Sequence, residues 1–73
     1  MEYYERLRQA REDKDETQAQ IAELLQTNQS YLSKMELGKK PFRVEQLMKL
    51  CEYYGVSADY ILGLPKGLEW PRD

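Results

Sequence analysis

The sequence predicts an all-α fold, a compact bundle of five short helices, and three observations carry that prediction. Apolar residues recur at three- and four-residue spacing along most of the chain, the interval that collects side chains on one face of a helix. Proline is absent from residues 1–40 and 42–64, so helices can run uninterrupted on either side of Pro41. Gly38, Gly55 and Gly63 each close a periodic segment. A residue without Cβ takes the left-handed conformation that ends a helix at no steric cost. β-Branched residues are scattered and nowhere alternate as a strand requires.

The first helix is expected over about residues 2–14, with Tyr3 or Tyr4, Leu7, Ala10 and Arg11 forming its buried stripe. The second starts from a capping box, Thr17-Gln18-Ala19-Gln20. In it the Thr hydroxyl accepts a backbone N–H and Gln20 reaches back to the cap. Ile21, Ala22 and Leu25 form its inner face, and Gln26-Thr27 breaks the pattern. Asn28 then caps a third helix over residues 29–37, ended by Gly38. After the turn at Pro41, a fourth helix over residues 44–54 is expected to bury Val44, Leu47, Leu50, Cys51 and Tyr54. A short fifth, residues 57–62, begins at the cap Ser57. Residues 1–62 read as one domain and 63–73, with two prolines and two glycines, as a tail.

Composition excludes most chemistry. Seventy-three residues, 41% hydrophobic and 33% charged, suit one small globular domain, which hides only about 60% of its unfolded surface. There is no His, so imidazole acid–base chemistry and His metal sites are out, and a single Cys forms neither an internal disulfide nor a thiolate zinc site. Nothing in the sequence makes an activated nucleophile. An enzyme is not expected, nor a cofactor or metal. No apolar run approaches the roughly 18 residues of a membrane span, and Met-Glu-Tyr-Tyr-Glu is too acidic to begin a signal peptide. A cytoplasmic binding module is the expectation.

The net charge of −2 argues against a polyanionic partner until it is divided along the chain. Residues 2–25 carry −3 and residues 50–73 carry −2. Residues 26–49 carry +3, from Lys34, Lys39, Lys40, Arg43 and Lys49 against Glu36 and Glu45. A basic middle between acidic flanks fits either a small anion-binding face or an ordinary solvated surface.

The second and third helices resolve that choice. Only Gln26 and Thr27 separate Leu25 from the cap Asn28, so the two helices must cross sharply, in helix-turn-helix geometry. At 100° per residue Leu32 and Met35 of the third helix point inward. Ser30, Ser33, Lys34 and Leu37 lie opposite, with Gln29 exposed at the helix start, and this outer face holds no acid. Gln pairs with adenine, Lys reaches guanine, and Ser serves either base. Gln29, Ser30, Ser33 and Lys34 are therefore the candidate base readers. Gln18, Asn28, Lys39, Lys40 and Arg43 are candidate phosphate contacts. Tyr31, at the edge of that face, either joins them or packs into the core.

These residues resemble the Cro/lambda-repressor type of helix-turn-helix, also called the xenobiotic-response-element family. The resemblance runs from about residue 4 to residue 62. It rests on Arg6-Leu7-Arg8 with Arg11, Thr17-Gln18, Ile21-Ala22, Leu25, Ser30, Leu32-Ser33-Lys34-Met35-Glu36 and Gly38, then Leu47, Leu50, Gly55-Val56-Ser57 and Ile61-Leu62. It implies a duplex-DNA-binding transcriptional regulator, with Gln18 on a phosphate, Gln29, Ser30 and Lys34 on bases, and the segment after Gly38 on the backbone. It also implies a partly buried ion pair between Arg11 and Glu36. Three departures from the pattern stand out: Asp15-Glu16 replaces the usual Gly-Leu, Gln26 the usual Gly, and Leu37 takes a position commonly basic or polar. Gln26 is expected to sit strained, at a cost on the order of 1 kcal/mol.

Cys51 falls at a core position as an inert thiol. Tyr53, Tyr60, Leu64, Leu68 and Trp70 exceed what so small a core needs. They form either a homodimer surface or a tail folded back on its own domain. The sequence thus predicts a repressor that occupies a palindromic operator as a dimer, associated with the nucleoid. The alternatives are an antitoxin that also binds a partner protein, and a protein-interaction adaptor with little DNA binding.

Overall fold

The computed structural model describes residues 1–69 of the 73. Its element order is α1 (Tyr3–Asp13), α2 (Gln18–Leu24), α3 (Gln29–Glu36), α4 (Val44–Tyr54) and α5 (Ala58–Leu62), with no strand among the described residues. Helix α1 is the hub, packing against α3, α4 and α5, while α2 packs on α3 and α4 on α5.

Short side chains start these helices as the sequence predicts. Thr17 Oγ1 accepts the Gln20 backbone N–H (3.1 Å) while Gln20 Oε1 accepts that of Thr17 (2.7 Å), closing the capping box. Asn28 Oδ1 accepts the Tyr31 N–H at 2.8 Å, and Ser57 Oγ that of Tyr60 at 3.1 Å. The Glu2 N–H donates to Glu5, and the Arg43 N–H to Gln46.

All five helices end in one way. A residue one or two positions past the helix turns left-handed, and paired backbone bonds run back to the last turn. At α3 the Gly38 N–H donates to Met35 O (3.1 Å) and the Lys39 N–H to Lys34 O (2.9 Å). The left-handed seats are held by Asp15 (φ 54), Gln26 (φ 57), Gly38 (φ 80), Gly55 (φ 70) and Gly63 (φ 69). Gly38 is doubly constrained, because a Cβ there would run into the Tyr4 ring.

Leu7, Ile21, Leu32, Met35, Leu50 and Ile61 are almost wholly buried, and Ala10, Ala22, Leu25, Cys51 and Tyr54 complete the core around them. Two positions differ from expectation. Val44, assigned inward, is 67% exposed. As the first residue of α4 it lies a turn before the packed stripe of Leu47, Leu50, Cys51 and Tyr54 and is not among the residues packed against the core. Phe42, to which the sequence reading assigns no role, is buried. Its ring meets Tyr3 edge-on at 6.1 Å and its N–H donates to the Tyr3 hydroxyl. That contact ties the loop after α3 to the first turn of α1. No helix among the described residues is long and apolar enough to cross a membrane.

Candidate nucleic-acid interface

The turn between α2 and α3 sets the site. Gln26 in the left-handed seat lets the Thr27 N–H close on Ala22 O at 2.9 Å, and Asn28 immediately opens α3. With Leu32 and Met35 fixed in the core, the helical register leaves Gln29, Ser30 and Lys34 exposed and Ser33 half-buried. Together with Gln18 and Lys39 these side chains line one shallow open concavity. Leu37 lies in the same concavity, 53% exposed. All four candidate base readers are thus brought onto one face, and no acidic side chain shares its lining.

The candidate phosphate contacts divide. Gln18 and Lys39 flank the reading face. Tyr31 and Arg43 border a separate notch with Gln26, Thr27, Pro41 and Gln46, on the other flank of α3. Tyr31 is 39% exposed, which settles the choice left open by the sequence against core packing. Lys40 is exposed in the loop between. Asn28 spends its side-chain oxygen on the helix cap.

Behind the face lies a polar knot that fixes the mutual placement of three helices. Glu36 is only 3% exposed, and its Oε2 accepts Arg11 Nε at 2.8 Å. Its Oε1 accepts both Arg11 NH2 (3.2 Å) and Gln18 Nε2 (2.9 Å). The remaining Arg11 nitrogen, NH1, donates to the Glu16 carbonyl at 2.9 Å. Hydrogen bonding to Glu36 raises the Arg11 pKa against the lowering effect of burial, so the guanidinium stays charged. No buried polar side-chain atom among the described residues lacks a partner. The sequence missed that Gln18 belongs to this knot. One of its amide N–H donors holds Glu36, so its side chain is locked rather than free to swing.

Of the candidate dimer residues, Tyr53, Tyr60 and Leu64 take no part in lining the α3 concavity. The Tyr53 hydroxyl donates to Glu16 Oε1, which binds the end of α4 to the α1–α2 turn and gives the unexpected Glu16 a role. Arg6 stacks on the Tyr60 ring, 5.6 Å from its centroid, and donates to the Tyr60 carbonyl at 2.7 Å. Tyr60, Leu62, Leu64 and Leu68 are exposed. Trp70 lies outside the described residues. No group of three or more metal-ligating side chains occurs among the described residues.

The comparisons with known proteins agree with this geometry. A family model described as helix-turn-helix matches residues 7–61. The chain is 34% identical over 55 residues to the HTH-type transcriptional regulator RamB of Mycobacterium tuberculosis, covering 75% of this chain and 12% of that protein. It is 37% identical over 62 residues to the HTH-type transcriptional activator BcrR of Enterococcus faecalis, covering 85% of this chain and 30% of that protein. The chain therefore spans less than a third of the length of these relatives. No solved structure gives a significant match. The buried Arg11–Glu36 pair, the sharp α2–α3 crossing and the match over residues 7–61 lead to one assignment: the chain belongs to the helix-turn-helix family of the Cro/lambda-repressor type.

Proposed function

We propose that the chain binds duplex DNA sequence-specifically, with α3 in the major groove, and regulates transcription by occupying its site. The observation that carries this reading is the outer face of α3, where Gln29, Ser30, Ser33 and Lys34 share one concavity without an acid. Their donors and acceptors match base edges, with Gln29 suited to adenine and Lys34 to guanine. Gln18 and Lys39 in that concavity, and Tyr31 and Arg43 in the neighbouring notch, are the residues proposed to contact the phosphate backbone on either side of the groove. Binding needs no cofactor, and no step in it is catalytic. Repression, the cytoplasmic nucleoid as its place of action and a palindromic operator bound by a dimer are parts of the same proposal.

Selection of bound duplexes from a random pool at stated salt tests it. Gln29→Ala and Lys34→Ala should each cost about 1–3 kcal/mol on the selected site and relax one base position. Lys39→Ala and Arg43→Ala should instead weaken all duplexes alike and flatten the salt slope by about 0.9 each. Absence of binding to any selected duplex at low salt would overturn the reading. A second reading, an antitoxin or an adaptor for a protein partner, draws on the exposed Tyr60, Leu62, Leu64 and Leu68. Salt-insensitive association with a protein, and none with DNA, would favour it.

A further inference from the structure

Leu37 is the one apolar side chain lining the concavity of α3. Its place follows from register. It stands four residues after Ser33 and three after Lys34, and its backbone N–H donates to Ser33 O at 3.1 Å, so the helical twist still governs where its side chain points. It is 53% exposed, and it belongs neither to the core nor to the apolar residues packed against the core. Among Gln18, Ser33, Lys34 and Lys39 the folded chain leaves about half of this leucine in solvent. Whatever fills the concavity must offer it an apolar surface.

In the major groove that requirement is narrow. Apart from small C–H edges such as cytosine C5–H, bases there present hydrogen-bonding groups, and the one methyl is the C5-methyl of thymine. We propose that Leu37 is a specificity-determining residue that buries its side chain against a thymine methyl next to the base read by Lys34. The inference rests on the reading that α3 enters the major groove. Contact with deoxyribose carbons is the competing fate of an exposed leucine at a DNA interface, and it differs in one respect. Sugars are the same at every base pair, so a sugar contact carries no sequence preference.

The test uses the full chain and its selected duplex, with each thymine replaced in turn by deoxyuridine, which removes the methyl and leaves every hydrogen-bonding group. One position should lose about fourfold in affinity, the factor that burial of a single methyl-sized group carries. With Leu37→Ala that loss should vanish while the preference at the Lys34 position is kept. Leu37→Asn should behave the same way, and both variants should melt near the parent because the side chain is exposed. Indifference of the parent to every thymine-to-deoxyuridine exchange overturns the inference while duplex binding stands. So does a deoxyuridine penalty that survives in Leu37→Ala, or a Leu37→Ala loss equal on all sequences. Failure of the parent to bind any duplex overturns both this inference and the reading beneath it.

Discussion

Gln26 is where a single residue costs the fold most visibly. Five helices end on left-handed seats, and glycine fills three of them. Asp15 takes the fourth, and its short polar side chain is among those that tolerate that region. Gln26 has no such compensation, being exposed at φ 57 with no side-chain hydrogen bond to any of the described residues. Gln26→Gly should therefore stabilise the protein by about 1 kcal/mol. For a domain of this size that is a rise of about 4–8 °C in Tm, read by thermal melting. Asp15→Gly should gain less. A drop in Tm for Gln26→Gly would mean that the turn is held by contacts of the glutamine side chain. Gly38→Ala should act oppositely and lose more than 1 kcal/mol, because the added Cβ meets both the strained φ and the Tyr4 ring. The sequence exposed these seats well, since glycine after a periodic stretch carries a direct conformational meaning. It could not show that Tyr4 lies over Gly38, or that Phe42 turns inward onto Tyr3, because both are meetings of residues more than thirty positions apart.

Between elements, Glu36 does what no single helix could. Its two carboxylate oxygens bind Arg11 of α1 and Gln18 of α2, so α3 is fixed from both sides at the level of its last turn. Arg11→Ala should cost about 3–5 kcal/mol, because a buried carboxylate loses its countercharge. The pair Arg11→Met with Glu36→Leu should recover part of that loss in urea unfolding, though less than the whole. The Arg11 bond to the Glu16 carbonyl and the Gln18 bond to Glu36 vanish with it. A parent-like midpoint for Arg11→Ala would show that the pair contributes nothing to stability. Element boundaries and the inner faces of α1, α2 and α3 were legible because period, caps and glycine ends agreed at each one. The pairing of Arg11 with Glu36 was legible only through the family resemblance, and the role of Gln18 in it was not legible at all. A polar residue at a helix start reads equally as a cap neighbour, a ligand contact or a member of a buried network, and only the third dimension separates them. Val44 failed for a related reason: periodicity says which residues share a face, and not how far along the helix a neighbour covers it.

At the scale of the molecule, two properties can be tested: the response of the fold to pH and its assembly. Burial sets the alkaline limit of the fold. Burial raises the Tyr54 hydroxyl above its ordinary 10.0 and the Cys51 thiol above its ordinary 9.0. Both groups thus keep protons in the folded state that the unfolded chain releases. Their contribution to stability is whole below the unfolded values and is lost as pH rises through them. Tm should fall steadily above about pH 9, and Cys51→Ala should remove the earlier part of that fall. Assembly is the last consequence. One helix-turn-helix reads too few base pairs to choose a site in a genome, so specificity calls for two copies, with reading helices one DNA turn, about 34 Å, apart. A self-contact compatible with this must avoid the α3 concavity. Among the exposed apolar residues outside it, Tyr60, Leu62, Leu64 and Leu68 follow one another at α5 and the segment after it, where Arg6 anchors the Tyr60 carbonyl. Tyr53 is a weaker candidate, because its hydroxyl is already committed to Glu16. Deleting residues 64–73, or replacing Leu64→Glu alone, should lower affinity for a two-half-site duplex by about tenfold or more, a difference near 1.4 kcal/mol. Base preference within each half-site should be kept, since Gln29 and Lys34 are untouched. Sedimentation at micromolar concentration decides the matter: the parent should sediment as a dimer and Leu64→Glu as a monomer. A parent that stays monomeric and binds single half-sites as tightly as paired ones would remove the dimer and leave each domain to act alone.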